Sequence, residues 1–284
     1  MWSLINKPWF GLLMPVTYLL LFFLGPLVFL ILMSFFSIAP NGFEIVPEFT
    51  LKNYEIFFNN KINLIAFWRS IYIAITSVVL GIAVGLLLAY TVVFVIPKRI
   101  QIAVLLLIIL PFWTSFIVRA FSWQLLFNET GPIASSLRSL ELLTGSLGIV
   151  DSHFGTILAL SMYSAMIITI CLYASFDAIS KNLIEASLDL GAKPLTVLLE
   201  IIIPLSLSGL INGATLSFII CFGDYVAPTL MGGGLNLAFS QLMVGSLLEN
   251  FNVPMASTYS VFMLITIFLF TLPLIKFNLQ NRNK

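Results

Sequence analysis

Arg119 and Asp224 are the two charged residues whose placement could do chemistry here, because each stands at the edge of a long apolar run. An ionisable side chain in such a place is costly to desolvate, so it is either paired or functional. Arg119 closes the stretch Leu110-Pro-Phe-Trp-Thr-Ser-Phe-Ile-Val-Arg119, and Asp224 opens Gly223-Asp-Tyr-Val-Ala-Pro. Aromatic residues accompany them: Trp113, Phe116, Phe121, Trp123, Tyr163 and Tyr225. Aromatic faces hold cations through the ring quadrupole. The sharp expectation is a path for a cationic solute formed by Asp224, Tyr225, Trp113, Phe116, Arg119, Trp123 and Tyr163. Two plainer readings stand beside it. Arg119 and Asp224 could simply pair with each other, and Trp and Tyr favour membrane interfaces whatever the cargo.

Other chemistry is missing from the sequence. There is no Gly-rich phosphate loop ending in Lys-Ser/Thr, and Gly191-Ala192-Lys193 lacks the required glycine spacing. The chain is therefore not expected to hydrolyse ATP. The single histidine, His153, reads as a loop residue and offers a nucleophile no partner. Cys171 and Cys221 both fall inside apolar runs and read as small buried hydrophobes rather than a disulfide or metal pair. No catalytic residue, metal site or bound cofactor is expected.

The elements that must position these residues are membrane helices. The 284 residues are 60% hydrophobic and 9% charged, far from the composition of a soluble domain. Apolar runs fall at about Trp9–Phe36, Leu64–Ile96, Ile100–Phe127, Phe154–Phe176, Leu205–Gly223 and Met255–Phe277. Each has the roughly 20 residues that a bilayer core demands. The expected fold is an all-α membrane protein of about six spans forming a single domain over 1–284. The first run is too long for a signal-peptide core and reads as a retained helix over about 9–38, kinked at Gly25-Pro26. Residues 39–63 read as a polar loop containing Pro40, Asn41, Gly42 and Pro47. Residues 128–153 read as a loop with room for a short helix near Ala134–Leu143, and residues 224–254 as irregular chain.

Orientation follows from lysine and arginine. With both termini inside, Lys7, Lys98, Arg99, Lys181, Lys193, Lys276, Arg282 and Lys284 lie inside, while only Lys52, Lys61 and Arg138 lie outside. The outer loops carry Glu44, Glu48, Glu55, Glu129, Glu141, Asp151, Asp224 and Glu249, a negative face that favours cations near the mouth. The stretch Asp177–Pro204 then faces the cytoplasm. It reads as a helix, a sharp turn and a second helix. Leu183, Ile184, Leu188 and Ala192 repeat on one face; Lys181, Glu185 and Asp189 recur on the other. Ser180 suits an N-cap, Gly191 a left-handed C-terminal position, and Pro194 the first turn of a helix. Pro204 re-aims the chain.

This stretch resembles the cytoplasmic loop of ABC importer permeases, written E-A-A, three residues, G, nine residues, I, one residue, L-P. The matching residues are Glu185, Ala186, Ser187, Gly191, Ile201, Ile203 and Pro204, with Ser187 and Ile203 departing conservatively. The two outer segments, Leu110–Arg119 and Gly223–Gly234, are similar to those of spermidine/putrescine permeases of the B type, and the likeness runs from about residue 10 to 275. The resemblance implies a type I importer core over about 64–277 and a coupling helix between the fourth and fifth spans. It implies that Glu185, Ala186, Ser187, Gly191, Ile201 and Pro204 dock on a separate ATPase, which uses ATP and Mg. It further implies a second permease subunit, two copies of the ATPase, an extracytoplasmic binding protein and the bacterial inner membrane. Permeases for iron, thiamine and phosphonate compounds are relatives of this group, so another small solute is an alternative to polyamines. An ion-coupled carrier, which would need ionisable residues near mid-membrane and no docking loop, fits the sequence less well.

Overall fold

The computed structural model describes residues 8–39, 44–233 and 237–282. Lys7, Pro40, Asn41, Gly42, Gly234 and Lys284 lie outside the described residues. Among those described, four helices are long and apolar enough to cross a membrane, or six spans if each of two sharply bent helix pairs counts as one. The chain forms two compact units.

The first unit takes residues 1–64 and 242–265. It holds α1 (Pro8–Leu19), a π turn (Leu20–Leu24) and α2 (Gly25–Met33). A two-residue hairpin comes next, β1 (Ser37–Ile38) against β2 (Ile45–Val46). Residues 39–63 are not loop throughout: α3 (Lys52–Asn59) forms there, and the second span, α4 (Lys61–Tyr90), starts three residues earlier than hydropathy suggests. Apolar composition marks only the part of a helix that meets lipid. Buried Asn53 holds α3 in place by donating to the carbonyls of Ser34 (3.0 Å) and Phe36 (2.8 Å), which closes the end of α2. Within the same unit Phe57 stacks on Phe262 with ring centroids 3.9 Å apart.

The second unit takes residues 65–241 and 266–284. After α4 come a π turn (Thr91–Val95), α5 (Lys98–Ile109), a 3₁₀ turn (Leu110–Trp113) and α6 (Phe116–Phe127). Then come α7 (Pro132–Ser139) and α8 (His153–Asp177). Beyond them lie α9 (Lys181–Asp189), α10 (Pro194–Val197), a third π turn (Leu198–Ile202) and α11 (Ile203–Leu205). The chain continues through α12 (Leu207–Gly223), α13 (Val226–Met231) and α14 (Phe239–Leu248) to α15 (Val253–Arg282). The helices α14 and α15 begin in one unit and end in the other. His153 is the first residue of α8 rather than a loop residue; Ser152 caps that helix by accepting from Gly155 N at 3.1 Å.

The third and fifth apolar runs are not straight. The chain turns by 94° between Trp113 and Phe116 and by 72° at Ser206. Proline explains much of this. A proline lacks an N–H, and its ring collides with the carbonyl four residues back. Each of the three π turns ends two residues before a proline: Pro26, Pro97 and Pro204. The residue just before each proline donates five residues back, Gly25 to Leu20, Ile96 to Thr91 and Ile203 to Leu198. Widening the turn moves the obstructing carbonyl aside. At the 72° bend, Ser206 donates to Ile202 O both from its backbone N at 3.0 Å and from Oγ at 2.6 Å, so the side chain adds a second bond at the carbonyl where the chain turns.

The long helix α8 is the scaffold of the second unit, with 61% of its most apolar window buried against 33% for α4 and 17% for α15. Lipid supplies no hydrophobic drive between helices, so close packing needs small residues. Gly209 and Gly213 of α12 and Gly81 and Gly85 of α4 bring their backbones directly against α8. Ser164 on α8 is buried and hydrogen-bonded to Cys221 Sγ at 3.1 Å. Both cysteines are free thiols.

Candidate functional site

The first candidate site is the loop between α8 and α12. The helix α9 ends in a Schellman motif: Ala192 N donates to Ser187 O at 3.1 Å and Gly191 N to Leu188 O at 2.9 Å. Gly191 carries the left-handed backbone that this motif needs, with φ of +88°. Pro194 starts α10, where its missing N–H is no loss. Ser180 has the extended backbone of an N-cap, but its hydroxyl makes no capping bond. Ile184 and Ala192 pack on a core of Ala89, Val93, Ile168, Leu172, Phe176, Val197 and Ile202. The loop is thus anchored to the adjoining ends of α4 and α8. Ile201 packs on that core and Pro204 sits in α11. Lys181 and Glu185, expected on the opposite face, share a cavity of about 240 Å³ with Ile184, Leu188, Tyr90 and Phe94. No residue of α9 is buried; Glu185 and Ala186 are exposed and Ser187 half-buried, while Leu183 is 46% and Leu190 90% exposed. Exposed leucines beside an anchored turn leave apolar surface that a partner can cover.

The second candidate site lies where α6, α8 and α13 meet. The 3₁₀ turn at Pro111 and the extended Thr114-Ser115 start α6 afresh, so that Phe116, Arg119 and Trp123 succeed one another at helical spacing. The Arg119 guanidinium carbon lies 4.6 Å from the Tyr163 ring centroid and 5.3 Å from that of Phe116. Phe116 meets Tyr163 edge-on at 5.4 Å, and Phe112 stacks on Tyr163 at 5.5 Å. Residue type alone does not single out Phe112; its spacing of four from Phe116 on an apolar run is the one signal in the sequence. The Nε and Nη1 atoms of Arg119 are buried and find no hydrogen-bond partner among the described residues. Only about 10 Å³ of free space remains among Phe116, Arg119, Trp123, Tyr163 and Ala227. That is room for about one water molecule.

Asp224 does not close an ion pair with Arg119. Its carboxylate instead caps α13, accepting from Val226 N at 3.2 Å and Ala227 N at 2.9 Å. Ser240 Oγ donates to its carbonyl at 2.6 Å. Burial pushes the Asp224 pKa up to about 6, opposed by the Ala227 and Val226 N–H groups and by the Arg119 charge. Trp113 is 85% exposed and Tyr225 42% exposed, so neither closes the aromatic cluster. The plain reading of Asp224 has a direct test. Asp224→Ala removes both acceptors and should weaken the α13 region by about 1 kcal/mol, with Asp224→Asn losing less because one oxygen remains. Thermal unfolding of the purified protein checks this; equal melting of wild type and Asp224→Ala would refute the capping role.

Known proteins share this architecture. Residues 81–278, more than half of the chain, match the family described as binding-protein-dependent transport system inner membrane component. The spermidine/putrescine transport system permease protein PotB of Haemophilus influenzae is 24% identical over 245 residues, covering 86% of this chain and 85% of that protein. The inner membrane ABC transporter permease protein YdcU of Escherichia coli is 24% identical over 276 residues, covering 91% and 86%. Among solved structures, a bacterial ABC transporter for import of the acidic polysaccharide alginate matches with TM-score 0.75 at 17% identity, covering 98% of both chains. The MetNI methionine ABC transporter matches with TM-score 0.57 at 20% identity, covering 76% of this chain and 94% of that one. These likenesses establish the fold, a type I importer permease. The family model reaches from within α4 to the last turns of α15, and the chain belongs to the binding-protein-dependent transport system inner membrane components, the permease subunits of ABC importers.

Proposed function

We propose that this chain is one of two permease subunits that carry polyamines such as spermidine and putrescine into the cytoplasm after delivery by an extracytoplasmic binding protein. The observation that carries the reading is the aromatic pair of Phe116 and Tyr163, whose rings hold a cation in this structure, with Phe112 stacked on Tyr163. Rings that hold a guanidinium can hold a primary ammonium by the same attraction. The names of the PotB relatives point the same way.

Energy comes from a separate ABC ATPase present in two copies, which binds ATP and Mg. It docks on the anchored turn of Glu185, Ala186, Ser187 and Gly191, with the exposed Leu183 and Leu190 giving it apolar contact. The lysine and arginine bias favours both termini and this turn in the cytoplasm. When ATP closes the ATPase dimer, the turn moves as a rigid lever, because its Schellman motif and its core contacts leave it little freedom.

Uptake decides the substrate. Vesicles holding the complete transporter and its binding protein should accumulate radiolabelled spermidine or putrescine on addition of ATP. Accumulation of an iron complex, thiamine or a phosphonate from the same panel, without polyamine, would overturn the assignment.

A further inference from the structure

We infer that Arg119 is a tethered cation that closes the solute path by occupying the aromatic box itself. The inference rests on the proposed import function and goes beyond it, since it assigns a gating and selectivity role to this residue. Three observations carry it. First, the guanidinium sits on Tyr163 and Phe116 at 4.6 and 5.3 Å, the place and distance at which a free ammonium would bind. Second, rings hold it there without a salt bridge. Its Nε and Nη1 are buried without hydrogen bonds, and Asp224, the nearby carboxylate, is engaged with the backbone of α13. A cation fixed by a salt bridge could not leave cheaply, whereas one held by aromatic faces can exchange for another cation. Third, the space left beside it is about 10 Å³, enough for a water but not for an ammonium-bearing solute. Arg119 and a cationic solute therefore compete for the same rings.

The residue then does two things. It seals the path against small ammonium ions when no solute is delivered. It also sets a threshold, because an entering cation must displace it, and a solute with several ammonium groups has more to gain than one with a single charge. Removing the tethered charge leaves the rings free, and the affinity of the path for small cations should rise by roughly twofold to thirtyfold, the range of a cation–π contact.

The test uses the complete transporter in proteoliposomes, without binding protein or ATP, and tracks entry of radiolabelled methylammonium. Wild type should be tight. Arg119→Gln should admit methylammonium about twofold to thirtyfold faster, while Arg119→Lys, which keeps a cation on the rings, should remain tight. Tyr163→Leu, which leaves Arg119 in place but removes its main ring, should also leak, and Tyr163→Phe should not. If Arg119→Gln does not assemble, Tyr163→Leu decides the matter alone. Tightness of Arg119→Gln or, in that case, of Tyr163→Leu overturns the inference, and so does a leak of equal size through Arg119→Lys. Because the probe is methylammonium and no ATP is present, the result stands apart from the identity of the transported solute. A leak with no polyamine uptake would retire the polyamine reading and keep the gate.

Discussion

Gly209→Val should abolish the assembled permease. A side chain at this position would press on the backbone carbonyl of Cys171, 2.7 Å from the new Cβ, and on Ser175. A carbonyl inside α8 cannot move without breaking that helix, so the strain has nowhere to go. Overpacking of this kind costs about 3 kcal/mol or more. That is on the order of a hundredfold in the folded population. Gly209→Ala meets the same carbonyl and should suffer too, since it is the Cβ that collides. Gly145→Val makes the control, because nothing lies within 4 Å of a Cβ there. The measurement is the yield of monodisperse protein extracted from membranes. Normal yield of Gly209→Val would show that α8 and α12 do not pack this closely.

Gly191→Val should have a different signature, with intact protein and broken coupling. A Cβ at Gly191 meets nothing within 4 Å, so packing does not oppose it. The backbone does: φ is +88°, a conformation that costs an L-residue with a side chain about 1–2 kcal/mol. The turn will relax towards another shape, and the exposed leucines of α9 will be presented at the wrong angle. ATP hydrolysis stimulated by loaded binding protein should fall by roughly fivefold to thirtyfold. Gly191→Ala should match Gly191→Val, because conformation rather than bulk is at issue, and Gly191→Asn should lose less, since asparagine tolerates left-handed backbone. Full stimulation in Gly191→Ala would remove the turn from the coupling role.

The contrast between these two glycines shows how far the sequence is legible. The role of Gly191 is local: a helix end, a left-handed residue and a proline three residues on are all written within one short stretch. Gly209 is silent in the sequence, because its constraint comes from Cys171 and Ser175 across another helix. The apolar runs are legible as composition, but their bends are not. Hydropathy is the same on both sides of Thr114-Ser115, and nothing in the local sequence says that Ser206 will turn its hydroxyl back onto Ile202. The same limit governs the site around Arg119. Arg119, Phe116 and Tyr163 can be picked out by type, yet their meeting depends on the 94° turn that precedes Phe116. In sequence, Asp224 looks free to meet a cation or Arg119. Its capping of α13 depends on a short helix inside a segment that reads as irregular, although an aspartate two residues before Val226 is a position from which a helix can be capped.

The π turn at Leu198–Ile202 gives the interval between Gly191 and Pro204 a meaning beyond distance. Each residue of an α-helix advances the chain by about 100° of rotation. A turn that holds one extra residue therefore re-sets the angular phase between the helical segment before it and the one after it. The spacing from Gly191 to Ile201 fixes not only how far the turn stands from α12 but also the compass direction in which Leu183 and Leu190 point. A protein that gained or lost one residue there would keep its apolar run, its glycine and its prolines. It would present the proposed docking surface about 100° away from its present direction.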